Sequence, residues 1–147
     1  MCLAMFPEYQ DKLFAEVLEV FPDKDNFHVT HEDLQKLQYT EMVIHENLRV
    51  MAPVPLVGRK AAEDFEIDSG IVLPKGTQIV IDIFNMHRNT KIWGPNAKTF
   101  NPDNFLPHNL SKIHPYAFVP FTKGLRSCIG EYNSVPGSMQ ISLNETN

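Results

Sequence analysis

Cysteine is scarce in this chain. Two of its 147 residues, Cys2 and Cys128, carry thiols. That is too few, and they lie too far apart, for a disulfide framework, which points to a reducing compartment. No run of about 18 apolar residues occurs, so no membrane-spanning helix is predicted. The apolar start, Met1 to Phe6, is too short for a secretory signal and has no basic flank. Positive charge is also in deficit. Thirteen Lys and Arg stand against 18 Asp and Glu, and a net charge of −5 with no basic run argues against a nucleic-acid partner. What remains is a globular composition, 43% hydrophobic and 21% charged, in a length sufficient for one domain. Proline breaks the pattern of scarcity. Most of the 11 prolines fall after Arg49, so the second part of the chain is predicted to be loop-rich.

The first part reads as helices. Over residues 6–21, Leu13, Val17 and Phe21 share a face with Phe14 and Leu18, the spacing of a core stripe. Pro7, Glu8 and Asp11 suit the start of this helix, and Pro22 stops it. Residues 23–28 are a polar linker. Thr30, followed three residues later by Asp33, reads as an N-cap for a short helix over 31–36. A further helix over 38–50 has Val43, Ile44 and Leu48 as its apolar face. Glu46 and Arg49 lie one turn apart on it, and by spacing alone they form a surface ion pair contributing less than about 1 kcal/mol.

Pro53 and Pro55 end that helix and force extended backbone through Val57. Phe65–Ile67 and Ile71–Leu73 flank Asp68-Ser69-Gly70 as a hairpin. A turn at Pro74–Gly76 leads into a strand over 77–84 with at least one buried face. His87 has no second ligand at metal-site spacing and reads as a structural histidine. The spacing of His108, His114 and Cys128 is too irregular for a zinc set.

The most informative stretch is Phe121-Thr122-Lys123-Gly124-Leu125-Arg126-Ser127-Cys128-Ile129-Gly130. Gly124 and Gly130 permit positive φ and tight turns. Arg126 places a permanent cation two residues before the thiol, and a nearby cation favours the thiolate that binds soft metals. One thiolate cannot build a zinc or iron–sulfur site, but it can be the single axial ligand of a haem. The stretch carries all five fixed positions of Phe-x-x-Gly-x-Arg-x-Cys-x-Gly, the haem-loop signature of the cytochrome P450 family. At about one in twenty per residue type, a chance match is below about one in a million per starting position.

The upstream wording resembles the same family, and the insect members most of all. Leu-Ala-Met-Phe-Pro-Glu-Tyr-Gln resembles the family's J helix and the end of the long helix before it. Tyr39 to Arg49 resembles its K helix with Glu-x-x-Arg, and Trp93 through Phe105, with Phe100-Asn101-Pro102-Asp103-Asn104-Phe105, resembles its meander. The resemblance implies that Cys128 is the haem-iron ligand, that Phe121, Gly124, Arg126 and Gly130 shape the haem loop, and that Arg59 contacts a haem propionate. It also implies that Glu46 and Arg49 form a buried structural pair. Asn104 stands where the family usually has an arginine that completes a triad with them, so the lock here is expected to be weaker or differently arranged. The segment Val54–Val57 would cross the haem edge and line the substrate pocket.

The implied fold is α+β, the C-terminal part of the cytochrome P450 fold. It comprises two or three helices, a small β-subdomain, the meander and the Cys loop, over residues 1–130. The implied activity is haem-dependent oxidation of a lipophilic small molecule with O₂, drawing electrons from a reductase. Members usually sit at the endoplasmic reticulum membrane, whereas this chain, with no anchor or signal in its sequence, is expected to be cytoplasmic or is left unassigned. Residues 131–147 are polar, contain Pro136 and Gly137, and read as a divergent, disordered tail. The family's long distal helix, which bears its proton-delivering residues, is represented at most by its last residues. The isolated chain is therefore expected to bind haem weakly and to lack oxygen activation. The alternative is a non-catalytic truncated product or a partner-binding fragment.

Overall fold

The computed structural model describes residues 2–22, 29–67, 70–130 and 136–137. The expected linker over 23–28, Asp68 and Ser69 of the hairpin, and all of the expected tail except Pro136 and Gly137 lie outside the described residues. Two helices make the framework. A short helix α1 (Cys2–Met5) leads into α2 (Pro7–Val20), which has Pro7 in its first turn. Leu13 and Val17 of α2 are buried against Leu37, Val43 and Phe100. A single turn α3 (His31–Leu34) then precedes α4 (Gln38–Val50).

Two helix starts show different solutions to the same problem, the unpaired N–H groups of a first turn. At α3 the solution is local: Thr30 Oγ1 accepts from the Asp33 amide at 3.3 Å while Asp33 Oδ2 accepts from the Thr30 amide at 3.2 Å. At α4 the N-cap residue is Leu37, which has no side-chain oxygen. Glu16 reaches over from α2 instead. Its carboxylate accepts from the amides of Tyr39 and Thr40 at 2.6 and 2.8 Å and from Thr40 Oγ1 at 2.7 Å. One negative side chain thus caps the positive end of α4 and ties it to α2.

The inward row of α4 is Thr40, Val43, Glu46 and Arg49. This differs from the predicted face of Val43, Ile44 and Leu48. Ile44 and Leu48 are only half-buried, while Glu46 and Arg49 are fully enclosed. The polar residues win the inner positions because a loop of backbone carbonyls and amides lies there, and it requires charged partners.

The β-part is two small antiparallel ribbons. β1 (Leu56–Lys60) pairs with β4 (Gln78–Asp82), with Leu56 opposite Asp82 and Lys60 opposite Gln78. β2 (Phe65–Ile67) pairs with β3 (Ile71–Leu73). The strand predicted to reach Phe84 stops at Asp82. Asp82 Oδ1 accepts from the Asn85 amide at 2.9 Å and caps a helical turn α5 (Ile83–Met86). The predicted buried face is absent as well, since Val80 and Ile81 are exposed and only Ile83, now helical, is buried. The chain then runs through α6 (Thr90–Trp93), a 3₁₀ turn (Pro102–Phe105) and α7 (Pro107–Leu110) to the cysteine segment. Among the described residues no helix is long and apolar enough to cross a membrane.

Replacing Glu16 by alanine removes both the cap of α4 and its tie to α2. Glu16→Ala is expected to lower stability by about 1–2 kcal/mol. The check is the urea midpoint, which should fall while the slope of the transition is unchanged.

Candidate functional site

Arg49 has five N–H donors and no access to water, so each needs a protein acceptor. All five find one. Nε donates to Glu46 Oε2 and one Nη2 hydrogen to Glu46 Oε1, each at 2.7 Å, a bidentate pair. The other Nη2 hydrogen goes to the Thr99 carbonyl at 3.1 Å. Nη1 donates to the carbonyls of His87 at 2.7 Å and Ala97 at 2.5 Å. The guanidinium also lies 5.0 Å from the centre of the Trp93 ring, a cation–π contact. Glu46 Oε1 further accepts from the Asn101 amide at 2.7 Å and from Asn104 Nδ2 at 3.2 Å. The structure therefore brings Glu46, Arg49 and Asn104 into one cluster, with a neutral amide in the third position.

His87 is fully buried. Its Nε2 accepts from the Val119 amide at 3.0 Å, which joins the Arg49-bound loop to the segment entering the cysteine turn. Burial first, and the Arg49 cation second, push its pKa down from 6.5 to about 4, so the ring is neutral near pH 7.

The cysteine turn is held by its own backbone. The Cys128 amide donates to the Phe121 carbonyl at 2.9 Å, and the Ser127 amide donates to that of Gly124 at 3.1 Å. Gly124 has φ +87°, as a left-handed turn position requires. Thr122 also has a positive φ, 63°, which is unusual for a β-branched residue. It is held there by its Oγ1, which donates to the Arg126 carbonyl at 3.2 Å. Of the two glycines that permit positive φ here, Gly124 adopts it and Gly130 does not. Gly130 instead lies beside the sulfur, where an added Cβ would stand 3.6 Å from Cys128 Sγ. The Cys128 thiol is free and exposed, and Leu125 and Ile129 on either side of it are 107% and 96% exposed. Phe121 is half-buried at the base of the turn.

Arg126 and Arg59, 67 positions apart in the chain, line one cleft of about 470 Å³. Lys60 lines it too, with Gly58, Gln78, Ile79 and Val80. Three cations on one cleft suit an anionic ligand. A second cavity of about 250 Å³ lies beside the turn and is largely aromatic and apolar, lined by Phe105, Phe118 and Phe121 among others. Lys60 and His87 had no functional reading from the sequence. The position of Lys60 next to Arg59 gave a faint signal for the first, and nothing local gave one for the second. Among the described residues no group of three His, Cys, Asp or Glu side chains comes close enough to hold a metal ion.

An exposed thiol on a hydrogen-bonded glycine turn, beside a three-cation cleft and behind a buried Glu-x-x-Arg pair, defines a recognisable class of site. A sequence model of the family described as Cytochrome P450 matches residues 1–132. The chain is 54% identical over 130 residues to probable cytochrome P450 313a4 of Drosophila melanogaster, covering 88% of this chain and 26% of that protein. It is 39% identical over 131 residues to cytochrome P450 4p1 of the same organism, covering 89% and 25%. The crystal structure of the cytochrome P450DA heme domain superposes with a TM-score of 0.86 at 26% identity, covering 97% of this chain and 30% of that one. The chain belongs to the cytochrome P450 family. It spans about a quarter of the length of the curated relatives it matches.

Two outcomes check this geometry. Arg49→Ala is expected to lower stability by about 3–5 kcal/mol because Glu46 is left buried and unpaired. Arg49→Lys should recover less than half, since a point charge cannot replace the five-donor fork, and Asn104→Ala should cost only about 1 kcal/mol. Equilibrium denaturation measures all three. The second outcome concerns pH. Between pH 6.5 and about 4 the unfolded chain holds a proton at His87 that the folded protein does not. Stability therefore rises with pH across that window and is lost as pH falls through it. His87→Gln should flatten that part of the urea-midpoint profile.

Proposed function

We propose that this chain supplies the haem-holding part of a haem-thiolate monooxygenase, with Cys128 as the axial thiolate on iron. The observation that carries the reading is the shared position of Arg126. It belongs to the cysteine turn and also lines the cleft with Arg59 and Lys60. A flat, apolar dicarboxylate with a metal centre is the ligand such a neighbourhood suits: cations for its carboxylates, a thiolate for its metal, and exposed Leu125 and Ile129 for its apolar surface.

In this reading each residue has a defined task. Cys128 donates its sulfur as an anion, with its own amide tied to Phe121 so that the turn cannot unwind. Gly124 supplies the left-handed bend, and Gly130 keeps the sulfur free of a neighbouring side chain. Arg59, Lys60 and Arg126 orient the carboxylates. Glu46, Arg49 and Asn104 hold the preceding loop in place. When bound, haem supplies one-electron and O₂ chemistry, and a thiolate donor favours O–O cleavage. The substrate class is a lipophilic small molecule, and electrons come from a reductase, in the family's usual setting at the endoplasmic reticulum membrane. A second reading, in which this chain by itself is non-catalytic and binds other polypeptide, draws on the uncovered apolar side chains Leu56, Val80, Ile81 and Phe84.

The test is carbon monoxide binding to the reduced protein prepared with haem available. A strongly red-shifted Soret band is expected, and Cys128→Ser should abolish it. Absence of haem uptake would favour the second reading. A red-shifted band that survives in Cys128→Ser would contradict the ligand assignment.

A further inference from the structure

We propose that His87 is a positioning residue for the cysteine turn, acting through the amide of Val119 and never touching the ligand itself. Both ends of the residue are in use. Its carbonyl accepts from Arg49 Nη1 at 2.7 Å, and its ring Nε2 accepts from Val119 at 3.0 Å. From Val119 the path to the sulfur is short. The Val119 carbonyl accepts the Thr122 amide at 3.0 Å, and the Phe121 carbonyl accepts the Cys128 amide at 2.9 Å. One residue thus connects the locked end of α4 with the segment that aims the thiol.

The chemistry of the ring fixes its direction of action. A peptide N–H can only donate, so Nε2 must carry a lone pair and the proton must sit on Nδ1. Nδ1 is buried and has no partner among the described residues. Burying a donor without an acceptor is unfavourable, and an aromatic hydrocarbon ring would fill the same space without that penalty. The acceptor at Nε2 is therefore what a histidine provides here that a phenylalanine would not. The ring also cannot swing away easily. Its centre lies 5.3 Å from that of Phe118, which in turn packs edge-on to Phe105 at 4.8 Å. The histidine holds Val119 at a fixed distance from Arg49 and transmits that position to Cys128. Its consequence at iron rests on the haem-thiolate reading, whereas its effect on the turn does not.

Two variants separate positioning from packing. His87→Phe keeps a buried ring and removes the acceptor. His87→Gln restores an acceptor near the place of Nε2. Amide hydrogen exchange without haem is read at Val119 and Cys128, with the Val43 amide of α4 as control, and the ferrous carbon monoxide spectrum is read with haem. In His87→Phe, exchange at Val119 and Cys128 should quicken by about tenfold relative to Val43, the scale of one lost hydrogen bond. The red-shifted share of the carbon monoxide band should fall together with that protection, and His87→Gln should bring both back towards the unmodified protein. Unchanged protection at Val119 and Cys128 in a folded His87→Phe protein overturns the proposal, as does equal acceleration at all three amides. Should the unmodified protein take up no haem, the haem-thiolate reading fails while the exchange comparison still decides the role of His87. If His87→Phe does not fold, His87→Leu takes its place in the same comparison.

Discussion

A guanidinium sealed from water must give each of its hydrogens to the protein, and in this chain that requirement organises the fold. Arg49 satisfies it with one carboxylate on its own helix and three carbonyls, those of His87, Ala97 and Thr99. Those carbonyls lie 38 to 50 residues away in sequence. The segment from His87 to Thr99 has few regular elements of its own. Its course is set by where an arginine needs acceptors. Glu46 balances the charge and takes two further donors from just beyond that segment, the Asn101 amide and Asn104 Nδ2, so neither ion is left bare in the interior.

From that anchor the structure reads outwards. α4 is held at its other end by Glu16 of α2, so its start is tied by a carboxylate and its end by the carbonyls to which Arg49 donates. The loop at His87 is pinned to α4 through Arg49, and the segment at Val119 is pinned to that loop through the His87 ring. The cysteine turn adds its own ladder and a left-handed glycine. A thiol that is free, exposed and backed by this series of fixed elements can be presented rigidly to a ligand, which is what metal ligation by a single side chain demands. Arg126 extends the same arrangement sideways, since the turn that carries the sulfur also brings a cation to the cleft of Arg59 and Lys60.

Parts of this were legible in the sequence. The apolar spacing of Leu13 and Val17 located a core face, and Thr30 with Asp33 marked a helix start, because both signals live within four residues. The glycine and cysteine pattern marked the turn. Spacing alone misjudged Glu46 and Arg49, since a pair three residues apart looks the same on a wet surface as in a dry interior, and only the resemblance to a family implied burial. The Glu16 cap, 23 residues from its partner amide, left no local trace. Nor did the 32-residue span between His87 and Val119. Ile83 shows the opposite failure. Its apolar neighbours suggested a continuing strand, and a single capping carboxylate on Asp82 turned the chain into a helix. At the turn, two glycines permitted a left-handed bend, and two residues adopt one. The first is Gly124, and the other is Thr122, held by its own hydroxyl.

The thiol can be presented rigidly only if the loop before the cysteine turn is as firmly held as the helix it docks on. Its most direct measure is amide exchange at Asn101 in the unmodified protein, because that N–H ends on the buried carboxylate of Glu46. Protection at Asn101 equal to that at Val43 in α4 is the predicted result, with both amides opening only when the whole domain unfolds. Exchange at Asn101 that is much faster than at Val43 would mean that the loop opens independently of the helix, and the buried pair would not be the anchor described above.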